Sequence, residues 1–398
     1  MIHPIFCYIF LAFSFSTSLF LCIDGKVRAE NFFYLPIWLM IGLYTIHAII
    51  TDKQKYTPRT FRQALPKALG KYIMWALILL GVISIYKHHP LYRDFAVHTR
   101  RFFEDYFRVY LALGFPYHLL AEKYRHCPDN VMGDPYLRVV SLLKCLLRGR
   151  FRQALHRLKR PGYKRLYMGA LLRIHYIPIM VEQVYYGMVS LTKFARNPQF
   201  TWSLSAFVVI SVSLAWLIDS NNGAMGYFWE SRFSKTRFRA VDLNPLHWIV
   251  VLMCYMPFIR YASEFVPFPS PHTNTPQLFS SPAFNIGIEV TLMVLVVLYM
   301  LSGAALAFST SNLSYKKIQT KGPYAVVRHP ATAFKLTYFA LAFFRYRSAC
   351  NLLGLSLFLF WMGVYVSRAL IEEDFLKRFS EYREYMKKTR YRFIPGLC

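Results

Sequence analysis

Long apolar runs alternate with short, heavily charged connections along this chain. Apolar stretches fall at about 4–23, 33–50, 72–86, 168–194, 201–218, 245–262, 284–308, 333–349 and 351–371, with a shorter one at 102–121. Most approach the roughly 20 residues an α-helix needs to cross the hydrocarbon core of a bilayer. The pattern predicts an all-α fold, a polytopic transmembrane helical bundle of about ten spans. The stretch 4–23 has no basic leader and no small-x-small cleavage pattern, so it reads as the first span and not as a signal peptide.

The connections orient the bundle. Between 51 and 71 stand Lys53, Lys55, Arg59, Arg62, Lys67 and Lys71 against Asp52 alone, whereas 263–283 carries Glu264 and no Lys or Arg. Positive charge collects on the cytosolic side of membrane proteins, so the first loop is expected in the cytosol and the second outside it. Both termini then fall on the cytosolic side, as do Lys316, Lys317 and Lys321. The formal net charge of +28, from 48 basic and 20 acidic residues, lies mostly in these connections. That distribution points to anionic lipid and argues against a nucleic-acid partner.

The most basic connection, 122–165, holds twelve Lys/Arg against three Asp/Glu. Val139, Leu142, Leu143, Leu146, Leu147, Phe151, Leu155 and Leu158 recur there at helical spacing among Lys144, Arg148, Arg152 and Arg157. This reads as a basic amphipathic helix on the membrane surface; a lid or a dock for an acidic substrate is the functional alternative.

Other polar positions are less committal. Arg173, His175 and Glu182 lie within one apolar stretch and are expected to face the bundle interior. The segment Asp219 to Asp242, with Tyr227, Trp229, Glu230, Arg232, Lys235, Arg237 and Arg239, reads as a cytosolic loop, either solvated or part of a substrate mouth. His88-His89-Pro90 ends a span, and adjacent side chains there point about 100° apart, so an interfacial role is favoured over metal binding. The seven cysteines include no Cys-x-x-Cys pair and no zinc spacing, and no metal site is expected.

The richest chemistry lies between Gly322 and Pro395. Gly322-Pro323-Tyr324 opens a tight turn that runs to Arg328-His329-Pro330. Two apolar stretches follow, ending in Arg368, Glu372-Glu373-Asp374, then Tyr382, Tyr385 and Arg390-Tyr391-Arg392-Phe393-Ile394-Pro395. Two spans that go out and back return the chain to one membrane face, so Arg328-His329 and Glu372-Glu373 should meet there. An arginine at a helix start, opened by Pro330, suits a ligand carboxylate, and the two glutamates suit an amine or ribose hydroxyls. Taken singly, an Arg328–Glu373 salt bridge or an interfacial tyrosine belt explains the same residues.

In this order the motifs resemble the C-terminal core of the isoprenylcysteine carboxyl methyltransferase and phospholipid methyltransferase superfamily, as in a bacterial-type membrane member. The resemblance rests on Gly322, Tyr324, Arg328-His329-Pro330, Glu372-Glu373 and Arg392-Phe393-Ile394-Pro395, about a fifth of the chain. Thr332 and Phe334 depart from that family's pattern. It implies a membrane methyltransferase that uses S-adenosylmethionine and acts on a lipophilic or prenyl/lipid-linked acceptor drawn from the bilayer. Its cofactor site would comprise Gly322, Tyr324, Arg328, His329, Pro330, Glu372, Glu373, Tyr382 and Tyr385, on the cytosolic face of a bacterial inner membrane or the endoplasmic reticulum. A carboxylate acceptor needs no general base; for other acceptors Glu182, Asp219 and Glu230 are the acids at hand, and none is assigned. Sterol reductases, which use NADPH, share a similar hairpin and an Ile-Pro-Gly-like ending such as Ile394-Pro395-Gly396, and a non-catalytic scaffold is a third reading. The expected division is an N-terminal transmembrane region, 1–283, and a C-terminal cofactor-binding unit, 284–398.

Overall fold

The computed structural model describes residues 4–51, 59–124, 134–197, 203–229, 238–267, 278–346 and 351–397. The helices are α1 (Pro4–Ile23), α2 (Ala29–Phe32), α3 (Leu35–Thr51), α4 (Phe61–His88), α5 (Pro90–Arg93), α6 (Val97–Lys123), α7 (Pro135–Leu147), α8 (Phe151–Leu158), α9 (Pro161–Arg196), α10 (Leu204–Phe228), α11 (Pro245–Met253), α12 (Phe258–Phe265), α13 (Pro282–Leu306), α14 (Pro330–Phe344), α15 (Leu352–Leu376) and α16 (Ser380–Lys388). Among the described residues the sheet content is one antiparallel pairing, β1 (Ala240–Val241) with β2 (Ser314–Tyr315). The fold is all-α.

Among the described residues, four helices are long and apolar enough to cross a membrane: α1, α4, α13 with the short turn that follows it, and α15; α11 and α12 make a fifth if that bent pair is one broken span. Their lateral pattern suits an apolar solvent. On α4, Ile73, Leu77 and Leu80 face outward, as apolar surroundings permit. Helix starts follow local chemistry. Asp134 accepts from Tyr136 N (3.0 Å), Asn244 from Leu246 N (3.1 Å) and Asn351 from Gly354 N (2.8 Å), and proline opens α7 and α11.

The chain forms two compact units, Ile49–Pro178 and Met1–Ala48 with Ile179–Cys398. In the first, α4 lies along α6. Tyr72 stacks on Tyr110 with centroids 5.5 Å apart, and Tyr110 Oη donates to Tyr72 O at 3.1 Å. Lys71 of α4 pairs with the buried carboxylates of Glu122 and Asp134, the latter at 2.8 Å, and Arg59 reaches Glu122 at 3.6 Å. Arg62, Lys67 and Lys71, expected in a loop, thus occupy the first turns of α4; Lys53 and Lys55 lie outside the described residues.

The single amphipathic helix expected over 138–158 is instead a hairpin. Gly149, at φ +66, breaks it, and α8 folds back on α7 with Arg157 Nη1 donating to Ser141 O at 3.1 Å. Leu147, Phe151 and Leu155 stay exposed beside Lys144, Arg148, Arg150 and Arg152.

In the second unit α13 is central. α1, α10 and α14 pack on it, α14 meets α15, and α15 meets α11. Two expectations change here. Asp219 to Gly223, read as a loop, continue α10, because Ser220 Oγ donates to Gln183 Oε1 (2.7 Å) and Asn222 Nδ2 to Gly303 O (2.9 Å). Neighbouring helices supply the partners that water would, so the polar run is buried. The expected span 245–262 is two helices bent by 79°. Glu230, Arg232, Lys235 and Arg237 lie outside the described residues.

Replacing Lys71 with Met leaves two buried carboxylates short of a cation, and breaking a buried pair costs about 3–5 kcal/mol. Thermal unfolding in detergent micelles should fall markedly for Lys71→Met. Arg93→Ala, which removes an exposed pair with Asp94, should stay within about 1 kcal/mol of wild type.

Candidate functional site

The segments singled out near the C-terminal end come together through backbone as well as side chains. Gly322 sits at φ +64, a left-handed conformation that glycine adopts without strain, and starts the 3-10 turn Gly322–Ala325. That turn is held from α16, where Tyr385 Oη donates to Tyr324 O at 2.6 Å. Beyond it, Arg328 N and His329 N donate to Tyr391 O and Arg392 O, both at 2.9 Å. The tail therefore runs alongside the turn, and Pro330 starts α14 directly after it.

Glu373, only 1% exposed near the end of α15, is the common acceptor. Arg328 Nε reaches its Oε1 at 2.7 Å, His329 Nε2 the same oxygen at 3.2 Å, and Arg392 Nε its Oε2 at 3.0 Å. Arg328 also donates through Nη1 to Thr389 O (3.0 Å) and Arg390 O (2.5 Å). Its carboxylate partner is thus a residue of this chain, and Arg328, His329 and Glu373 form a closed framework of charge-assisted hydrogen bonds.

Glu372 has a different setting. Successive side chains on a helix diverge by about 100°, and Glu372 turns to a small surface recess lined by Asp242, Asn312, Ser314, Arg368 and Phe375, among others. The two glutamates expected to act together are thereby separated, one in the framework and one at the recess. Tyr382 and Tyr385 are buried in a cluster with Tyr315, Phe375 and Leu376. Burial pushes the phenols of Tyr324, Tyr382 and Tyr385 well above their ordinary values, so all three stay neutral.

The recess is braced by Asp242 and Arg368, which the sequence had offered as part of a mouth or of the C-terminal cluster, and by Asn312, Tyr255 and His247, which it had not singled out for a site. Asp242 N donates to Leu313 O at 2.8 Å, and its carboxylate receives Asn244 N (3.1 Å) and lies 2.5 Å from His247 Nδ1. Asn312 Nδ2 donates to Tyr255 Oη at 3.1 Å, and the Arg368 guanidinium lies 5.4 Å from the centre of the Tyr255 ring. Outside, Tyr315 Oη (2.7 Å) and Arg239 Nη1 (2.8 Å) both donate to Glu381 and hold its carboxyl below the usual range.

The recess offers two carboxylates, an amide and a guanidinium. No groups of three or more His, Cys, Asp or Glu suited to a metal ion occur among the described residues. No family model, curated protein or solved structure matches the chain.

Two outcomes follow from this geometry. Glu373→Ala strips a buried Arg328 of its carboxylate, at about 3–5 kcal/mol; trypsin should then cut at Arg390 or Arg392 much faster, while Glu372→Ala leaves the tail protected. Glu381 has a depressed folded-state pKa. Its stabilisation is present above the unfolded value near ~4.3 and lost as pH falls through the folded value. Unfolding scans of wild type and Glu381→Gln should differ at neutral pH and converge in acid.

Proposed function

We propose that the protein is an integral-membrane S-adenosylmethionine-dependent methyltransferase acting on a lipophilic or lipid-linked acceptor. One observation carries the reading. The Gly322–Pro330 turn, Glu373 and the Tyr382–Arg392 tail, which carry much of the sequence's family resemblance, form one bonded assembly, with Glu372 at a polar recess beside it.

In this reading Arg328, His329, Pro330 and Glu373 position the helices, with Gly322 and Tyr324 shaping the turn and Tyr382 and Tyr385 backing it. Glu372 would accept from ribose hydroxyls or the ammonium, and Arg368 would hold the carboxylate. Bound there, S-adenosylmethionine supplies an electrophilic methyl group; the protein contributes orientation and exclusion of water. The bilayer arrangement goes with it: about ten spans, both termini and the site on the cytosolic side, and the basic hairpin against anionic lipid headgroups. A bacterial inner membrane or the endoplasmic reticulum both fit.

Calorimetry on the detergent-purified chain tests this with S-adenosylhomocysteine and NADPH as separate titrants. The homocysteine ligand should bind, and Glu372→Ala should weaken it by about tenfold, the worth of one charge-assisted hydrogen bond. Binding of NADPH instead would transfer the assignment to a reductase, and binding of neither would favour a scaffold.

A further inference from the structure

The α7–α8 hairpin carries two stripes side by side. In and just after α7 a basic residue follows each of two exposed leucines, as Leu143-Lys144 and Leu147-Arg148. On α8 the order repeats as Phe151-Arg152 and Leu155-His156. Residues four apart share a helix face and successive ones diverge by about 100°. Each helix therefore shows an apolar stripe with a basic stripe along its edge. Leu147 is 86% exposed and Phe151 62%. Among the described residues the side chains of Lys144, Arg148, Arg150 and Arg152 have no hydrogen-bond or ion-pair partner. The sequence holds no Asp or Glu between Asp134 and Glu182 that could supply one locally.

The root of the hairpin fixes its level. Asp134, whose side chain caps α7, pairs with Lys71 of α4 at 2.8 Å. Lys71 is the last charged residue before 72–86, the uncharged run of a helix long and apolar enough to cross a membrane. Charge gives way to hydrocarbon-soluble sequence at that point, so the root lies where headgroups meet acyl chains. Arg138 of α7 donates through Nη1 to Gly162 O of α9 at 2.8 Å, so the chain leaves and returns at one place. A nucleic acid would satisfy the arginines and leave Leu147, Phe151 and Leu155 in water. An anionic bilayer meets both stripes, with phosphate for the cations and acyl chains just beneath for the apolar residues.

We propose that the hairpin is a membrane wedge that senses lipid charge. Over a phosphate-bearing anionic lipid surface Leu143, Leu147, Phe151 and Leu155 enter the interface; over zwitterionic lipid they stay in water. The inference rests on the bilayer arrangement proposed above and is independent of methyl transfer.

The test places the full chain in nanodiscs with brominated acyl chains, made of phosphatidylcholine alone or of an equal mixture with phosphatidylglycerol. The readout is the bromine quenching that Phe151→Trp adds to that of the seven native tryptophans. Added quenching should appear in the anionic discs and be absent from the zwitterionic ones. It should fall at about 1 M salt, where the screening length is about 3 Å. Replacing Arg148, Arg150 and Arg152 together with Gln should lower the ratio of inserted to free hairpin by about a hundredfold, at about fivefold per cation. Leu147→Trp gives the same readout if Phe151→Trp does not fold. Equal quenching in both discs, quenching in neither, or quenching unchanged by the triple replacement overturns the proposal. So does its loss from anionic discs on adding a double-stranded DNA oligonucleotide, which would transfer the surface to nucleic acid. Titration of S-adenosylhomocysteine into the same discs reports on the cofactor reading alone, so the two fail separately.

Discussion

A single buried carboxylate holds the C-terminal assembly together. Glu373 receives Arg328, His329 and Arg392, which come from the turn before α14 and the tail after α16. A lone carboxylate in that position would be expelled by its own desolvation cost, and so would the buried guanidinium of Arg328. Satisfied together they tolerate burial, and the backbone pairing of Arg328 and His329 with the tail keeps them in register. The start of α14 and the end of α15 are thereby fixed to each other, and Glu372 is left turned toward the recess.

The framework was legible because its chemistry is concentrated in short motifs. Arg-His-Pro before one apolar run and Glu-Glu after the next must meet if the runs form a hairpin, and they do. The division of labour between Glu372 and Glu373 was not legible, since it depends on the helix phase at the end of α15. The all-α class followed from the apolar periodicity. Element boundaries failed where polar residues found protein partners: Asp219 to Gly223 look like a loop, yet Gln183 and Gly303 complete their hydrogen bonds and α10 continues. The hairpin at Gly149 was missed for the opposite reason, as an apolar repeat at helical spacing concealed a residue that favours φ > 0.

Lys335 also left a signal in the sequence. Lys335 and Arg368 are cations inside apolar runs, and Asp219 lies at the end of another. An ionisable residue within an apolar run marks a candidate site, and that holds for Lys335 as for Arg173, His175 and Glu182. Only the fold shows that the rings of Trp216, Tyr299 and Tyr365 surround Lys335. Glu182, for its part, is buried on α9.

The tail's pairing with the turn also sets an order of events during synthesis. Arg328 emerges first, Glu373 forty-five residues later, and Arg392 nineteen after that. At the ~5–20 residues per second of translation, several seconds separate the first from the last. Through that interval a cation destined for burial waits for its counter-ion beside an unclosed pair of helices. The nascent chain is then at its most exposed to proteases and to wrong partners, and the final stretch acts as the latch that ends the exposure.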